Sequence, residues 1–374
     1  MQTKVGDQDA LVQASMSEGS ALEFNYVPVG KNSYKVQVVG LDREYPGYIR
    51  DISKSNVQLW GEEAQKRVAE ATIYAVGVGG VGSHELFTAA RMGFRNFVIA
   101  DSDIIDRGNI QRQVHSDWTT IGRKKVDVMA EILLRISPYN QVTVFDTKIK
   151  EDNIDRFLEQ REGKGIVFDG IEFYSVNDRR KVTNTALQKR IPVVASGPVG
   201  LGSAYSCFMP GGLNFNEYFG VSDQTPYDLM LASFVVGIAP KSKHTRYMSL
   251  KGVNLTNRES PSSAASMAFC AGTQTSMAFD VITERRWKKP IPVTYQFDFP
   301  TGTHTATSSG AFRKGIRGKL RRARVDLVRK ILNGEEINGE NIGEVFGNQL
   351  RAPKLGRTIG RNVARLVDRV KKNH

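Results

Sequence analysis

Six residues, Gly77-Val78-Gly79-Gly80-Val81-Gly82, follow the strand-like run "ATIYAV" and precede "SHELF", which reads as the start of a helix. A glycine-rich turn of this kind lets backbone N–H groups approach an anion, and the helix N-terminus favours negative charge. The chemistry implied is the cradling of a nucleotide or dinucleotide phosphate. Further on, "DSD" brings Asp101 and Asp103 to the end of a second strand, nineteen residues past Gly82 for the first of them. An acid there suits ribose hydroxyls. To this point NAD and ATP are served equally. The next stretch, "RGNIQRQVHSDWTTIGRKKVD", supplies Asn109, Arg112, Gln113 and Lys125. Cations and amide donors gathered beside a phosphate loop suit a triphosphate attacked at its α-phosphate. Hydride transfer has no evident need of them. In "FDGIE", Asp169 and Glu172 close a later strand, where an acid could hold Mg²⁺ over the same phosphates.

These residues need a scaffold, and the chain supplies repeated strand–helix units. "TIYAVGV", "NFVIADSD", "QVTVFDTKI", "GIVFDGI" and "IPVVASGPVG" are predicted strands. Between them, 83–92, "GRKKVDVMAEILLRIS", "EDNIDRFLEQREG" and "DRRKVTNTALQKR" are predicted helices. Alternation with short links implies an α/β fold, a Rossmann-like, doubly wound, mostly parallel sheet. Ahead of it, "EFNYV" and "SYKVQVVGL" read as strands around a "GKNS" turn, followed by a helix over "GEEAQKRVAEA". Residues 207–265 loosen into turns and short helices. A long apolar-faced helix (263–287), the strand "PVTYQFDF" and two amphipathic helices then end the chain. Their stripes are Ile316, Leu320, Leu327 and Ile331, then Ile359, Val363, Leu366 and Val370. The boundaries expected are an N-terminal extension (1–52), a nucleotide-binding domain (53–310) and a basic helical tail (311–374).

The glycine loop, D-x-D, N-x-x-R-Q, I-G-x-x-K and the acidic strand end together resemble the ThiF/MoeB/HesA family, whose fold also activates ubiquitin-like proteins. The likeness runs from about residue 53 to 290 and includes "AASMAFCAGTQTSMAFDVI", similar to the family's closing helix. It implies ATP-dependent adenylylation of a carboxylate, usually the C-terminus of a small protein or peptide, with Mg²⁺, pyrophosphate release and a homodimer. By the same resemblance Gly77, Gly79, Gly80 and Gly82 shape the phosphate loop and Asp101 holds the ribose. Asn109, Arg112, Gln113 and Lys125 line the triphosphate, and Asp169 and Glu172 stand at the family's two strand-end acids. Glu172 is the expected metal-site acid of the pair, although the family has aspartate there. The family's arginine reaching across from a partner subunit has Arg50 and Lys54 as candidates. Two departures stand out. The family's paired C-x-x-C zinc motifs are absent, so no zinc is expected, and 209–262 contains no cysteine for a thioester.

Composition bounds the rest. The chain has 374 residues, 40% apolar and 24% charged, enough for a packed core. No leader and no apolar run near twenty residues is found, and with two cysteines, Cys207 and Cys270, a cytoplasmic protein is expected. A lone Cys207 reads as a small buried thiol more readily than as a nucleophile, and Cys270 more so. His84 reads as a first-turn helix residue. His115 and His244 have no metal-ligand partners at useful spacing, and Asp178 with Arg180 would form a local surface pair. Net charge is +13, and residues 311–374 hold 17 Lys/Arg against 6 Asp/Glu. That tail could grip RNA, an acidic partner or an anionic membrane, or its stripes could pack on the body with the charges merely solvated. Three alternatives stay open: activation of a carboxylate on tRNA through the tail, a non-catalytic ATP-binding subunit, and an NAD(P)-linked oxidoreductase.

Overall fold

The five expected strands form the centre of one sheet. In the computed structural model, which describes residues 22–41, 52–159, 164–247, 261–311, 314–335, 344–345 and 348–349, they are β3 (Thr72–Val76), β4 (Asn96–Ala100), β5 (Gln141–Phe145), β6 (Gly165–Asp169) and β7 (Val193–Pro198). They pair in the order β5-β4-β3-β6-β7, all parallel. Every residue of β3 is buried, as expected of a strand covered on both faces. Helices α3 (Gly80–Arg91) and α4 (Lys125–Ile136) cover one face with α9 (Ala264–Ile282), while α5 (Ile154–Leu158), α6 (Val176–Gln188), α7 (Phe215–Phe219) and α8 (Tyr227–Ile238) cover the other.

Antiparallel strands extend both edges. On one side the hairpin β1 (Phe24–Gly30) and β2 (Ser33–Val38) adds to β5. Its docking is polar: the Tyr26 hydroxyl donates to Glu131 at 2.7 Å, and the Tyr34 hydroxyl to Asp127, both on α4. Buried Glu131 also pairs with Arg123 and, at 3.0 Å, with Arg135. The N-terminal hairpin therefore buttresses the helix that begins at Lys125. On the other side come β8 (Gly202–Phe208), β9 (Val293–Asp298) and β10 (Thr303–Ser308).

Several elements differ from expectation. Helix α3 starts at Gly80 rather than 83, so the end of the glycine run is already helical. Strand β4 stops at Ala100, because Asp101 turns to accept the Val78 N–H at 2.8 Å. A helix α1 (Lys54–Trp60) precedes α2 (Glu62–Glu70). Helix α8 fills part of the stretch expected to be loose. It is apolar nearly all round, so no amphipathic period betrays it. Strand β10 was not expected either, since "THTATS" alternates threonine rather than an aliphatic with its neighbours. Helix α10 (Gly315–Leu332) carries the first tail stripe and packs on α8, with Arg329 paired to Asp228 at 2.5 Å. Its deepest residues are Ala323 and Val325, while Leu320, Leu327 and Ile331 are half-buried. The side chain of Ile316, and the second stripe from Ile359 to Val370, lie outside the described residues. Among the described residues no helix is long and apolar enough to cross a membrane.

Candidate nucleotide site at the strand ends

The four loop glycines divide into two kinds. Gly77 has φ +93°, a conformation that favours glycine, and a Cβ there would stand 2.3 Å from the Gly170 carbonyl oxygen. A Cβ on Gly82 would stand 2.1 Å from the Gly77 carbonyl oxygen. These two let α3 close tightly on the ends of β3 and β6. Gly79 is different, since a Cβ there would meet only Gln113 Nε2, at 3.9 Å. A Cβ on Gly80 would touch Met267 of α9 at 3.1 Å and Arg112 Cγ at 3.7 Å. Gly77, Gly82 and Gly170 hold the backbone shape, and Gly79 leaves the mouth of the loop open.

The residues that follow β4 fold back over this mouth. Both Asp101 oxygens accept backbone N–H bonds, from Val78 at 2.8 Å and Asp103 at 2.9 Å. Burial pushes the Asp101 carboxyl up, while Lys125 and the two N–H groups pull it back. Lys125 is buried and its ammonium lies 2.9 Å from Asp103. Asn109 Oδ1 accepts the Asp106 N–H in a capping box around the 3-10 turn Arg107–Asn109. Arg112 donates to the Gly108 carbonyl at 2.7 Å. Gln113 is buried with its Oε1 unpartnered, and both ring nitrogens of buried His115 lack partners too. Burial pushes His115 down to about 3, with Lys125 and then His84 adding to the effect. His84, in the first turn of α3 as expected, is lowered by burial against a backbone bond to Arg112. Orphaned buried donors and acceptors are rare unless something else satisfies them. An open glycine position faced by the Gln113 Nε2 donor fits a nucleotide's phosphates, while the orphaned Oε1 would take a donor such as a hydroxyl.

At the end of β6 the picture is narrower. Asp169 is buried and accepts from Arg179 Nε at 2.7 Å and the Ile171 N–H at 3.2 Å. Arg179 also donates to the Ile171 carbonyl and stacks over Phe234 at 4.6 Å. Glu172 is exposed. Among the described residues no three His, Cys, Asp or Glu side chains gather as a metal site. Asp169 is engaged by Arg179, and Mg²⁺ commonly takes only one or two carboxylates beside the phosphates of its substrate.

Sequence reasoning missed Gly170 and Arg179, although "FDGIE" and "DRRK" contain them. It also missed Glu85, fully buried beneath the loop, which accepts from Ser196 and from Gln274, each at 2.8 Å. Burial holds its carboxyl well above the ordinary 4.5, against the Ser196 bond. A raised carboxyl keeps a proton that the unfolded chain releases, so its contribution to stability falls as pH rises above that ordinary value. Glu85→Gln should flatten this slope. Urea midpoints at pH 5 and pH 8 should converge, with the variant matching or exceeding the wild type at pH 8. A variant whose midpoint keeps the wild-type pH dependence shows that Glu85 is ionised in the native state.

Two expectations are corrected or placed. Arg180 does not pair with Asp178 at the surface; it is buried and bonds Asp223 and Asn177, because its face of α6 points at α7 and the loop after it. Cys207 and Cys270 are both buried, and burial pushes the Cys207 thiol up to about 12, so neither is presented as a nucleophile. Lys54 stands exposed at the start of α1, and Arg50 lies outside the described residues.

Fold and site together define a doubly wound α/β protein with a glycine cradle shaped for phosphate. Residues 53–314 match the ThiF family, and the chain belongs to that family. It is similar to tRNA threonylcarbamoyladenosine dehydratase of Escherichia coli (strain K12), 34% identical over 143 residues, 38% of this chain and 52% of that protein. It is also similar to a probable molybdopterin-synthase adenylyltransferase of Porphyra purpurea, 32% identical over 129 residues, 34% of this chain and 32% of the relative. The match spans about half the length of these relatives or less. Among solved structures, E. coli MccB with MccA-N7isoASN superposes with a TM-score of 0.52 at 17% identity, covering 73% of this chain and 76% of that one. That likeness is one of fold.

Proposed function

We propose that the chain binds ATP at the glycine cradle and adenylylates a carboxylate, one at the C-terminus of a small protein or peptide. The carboxylate oxygen bonds to the α-phosphorus, the bond to the β-phosphate's bridging oxygen breaks, and pyrophosphate leaves. Gly79 and Gly80 admit the phosphates, and Asp101 takes the ribose. Asn109, Arg112, Gln113 and Lys125 line the triphosphate, with the cations of Arg112 and Lys125 opposing charge on the departing pyrophosphate. Lys125 would exchange its Asp103 partner for phosphate oxygens. Mg²⁺ would arrive with the triphosphate, and Asp169 and Glu172 at the end of β6 are the acids that would hold it. Residues 53–310 carry this activity, and a homodimer is its expected assembly.

One observation carries the reading: the open stretch of the glycine turn, at Gly79, faces Nε2 of buried Gln113, an amide donor suited to a phosphate oxygen. Membership of the ThiF family and relatives named as adenylyltransferases support it. The named tRNA dehydratase relative supports a second reading, in which the carboxylate belongs to tRNA. An exchange screen separates the two. Labelled pyrophosphate should enter ATP only when the right acceptor is present among glycine-ended proteins, peptides and tRNA. Exchange stimulated by tRNA alone would replace the protein substrate with RNA. NADH binding in the cradle with no ATP binding would end both readings.

A further inference from the structure

A second polar cluster lies on the far side of the sheet and plays no part in the nucleotide reading. Thr294, Gln296 and Asp298 alternate along one face of β9, opposite Thr307, Thr305 and Thr303 of β10. This is the face that Tyr218 and Tyr247 meet, through a Tyr218–Ser309 bond of 2.9 Å and a Tyr247–Asp298 bond of 3.0 Å. A sheet face packed under helices is ordinarily apolar, and here it is polar throughout. Gln296 is 3% exposed, and both atoms of its amide lack partners, as does the Thr305 hydroxyl beside it.

Helix α10 brings two guanidiniums to the same place, one turn apart. Arg324 donates to the Pro240 carbonyl and, at 2.7 Å, to Ser242 Oγ. Arg321 donates to the Phe219 carbonyl at 3.1 Å and leaves a buried Nε without a partner. Among the described residues neither arginine has a carboxylate within ion-pair distance, whereas Arg329 on the same helix has Asp228. Burial lowers both Arg321 and Arg324, and Arg324 adds to the lowering of Arg321. His244 completes the cluster with an unpartnered Nδ1; burial pushes it down to about 4, Asp298 acting against that and Arg324 with it. Asp298, the one acid nearby, already accepts from Tyr247, from the Thr301 N–H and from the Thr301 hydroxyl.

The bland account is that the two arginines tie α10 to neighbouring carbonyls. That leaves two half-buried guanidiniums, each without an acid within ion-pair distance among the described residues. It also leaves the Gln296 amide and His244 Nδ1 unexplained. A bound dianion would answer the two guanidiniums, the Gln296 Nε2 donor and a His244 Nδ1–H at once.

We propose that Arg321, Arg324, His244, Gln296 and Thr305 form a phosphate-binding site distinct from the glycine cradle. Two guanidiniums match a phosphate dianion, where a single carboxylate would need one. The site sits level with the sheet end that carries the cradle, since Gln296 pairs across β8 with Ala204, which pairs with Gly197 of β7. Three strand spacings separate it from Asp169, about 14 Å. A phosphate held there would be a second handle on a molecule whose reacting end lies at the cradle, or a free phosphate.

The site is tested on the full chain with inorganic phosphate as the probe, by calorimetry at pH 7 without nucleotide, whose own phosphate would compete. One equivalent should bind. Arg321→Met and Arg324→Met should each weaken it tenfold or more, and Arg329→Met should not. If the arginine variants fail to fold, Gln296→Leu carries the same test, with an expected loss of about threefold or more. Dimethyl phosphate, a monoanionic diester, separates the sources. Tenfold weaker binding than inorganic phosphate assigns the site to a terminal or free phosphate, and equal binding assigns it to a nucleic-acid backbone. No binding to the wild type, or binding unchanged in the folded arginine and glutamine variants, overturns the proposal. This test does not depend on the nucleotide reading, because the arginine and glutamine variants, and not the state of the cradle, assign the bound phosphate to this site.

Discussion

Lys125→Ala should lose pyrophosphate exchange by about 10²–10³-fold, the usual cost of removing one preorganised charge from a site where phosphate charge develops. The side chain is suited to that role by position. Lys125 opens α4, its stem is buried, and its ammonium is held at 2.9 Å by Asp103 rather than by solvent. Asp103 is itself half-exposed, so leaving it unpaired costs little and the variant should fold. Lys124→Ala is the control. Its ammonium bonds Asp146, which follows β5, one strand further from the glycine turn than Asp101, so exchange should stay near the wild-type rate. Both variants are measured under the acceptor that gives exchange in the wild type. Equal exchange in Lys125→Ala and wild type would remove Lys125 from the mechanism, whatever happens to ATP affinity.

The glycine loop makes an equally sharp contrast. Gly82→Ala puts a methyl 2.1 Å from a backbone oxygen, so α3 must move away from β3. Overpacking of this kind costs about 3 kcal/mol or more when the neighbour is backbone. The expected result is a chain that unfolds at much lower urea or fails to accumulate. Gly79→Ala meets nothing closer than 3.9 Å, so it should cost far less stability than Gly82→Ala. Yet its methyl would point into the mouth of the cradle, and ATP affinity should fall tenfold or more by calorimetry. A Gly79→Ala protein that binds ATP as well as wild type places the nucleotide elsewhere. A Gly82→Ala protein as stable as wild type refutes the division of the glycines into packers and openers.

Much of the site was legible because its parts lie close together along the chain. The glycine turn, the Asp101–Asp103 strand end and the stretch from Asn109 to Lys125 span 49 residues on two successive strand–helix units. Parallel pairing of β3 with β4 brings those units side by side without help from anything distant. The hairpin β1–β2 was legible for a similar reason, a local turn between two short alternating runs. What escaped were partners chosen across long stretches of chain. Gln274 reaches Glu85 across 189 residues, and Arg180 prefers Asp223 to the nearby Asp178. Strand β10 escaped because its inward face is threonine, and polar alternation leaves no hydrophobic period to find.

The sequence by itself determined the five parallel strands, the turn that follows the first of them, and which cations and amides stand at their ends. Apolar runs bounded by glycine, proline and charge are local signals, and a residue's distance from such a run sets which end of the sheet it occupies. Only the tertiary structure decided which glycines pack and which stay open, that Asp169 is engaged by Arg179, and that two arginines of a basic tail are half-buried without an ion-paired acid among the described residues. Those outcomes depend on burial and on competition between partners from separate elements, and neither exists until the sheet and its helices have come together.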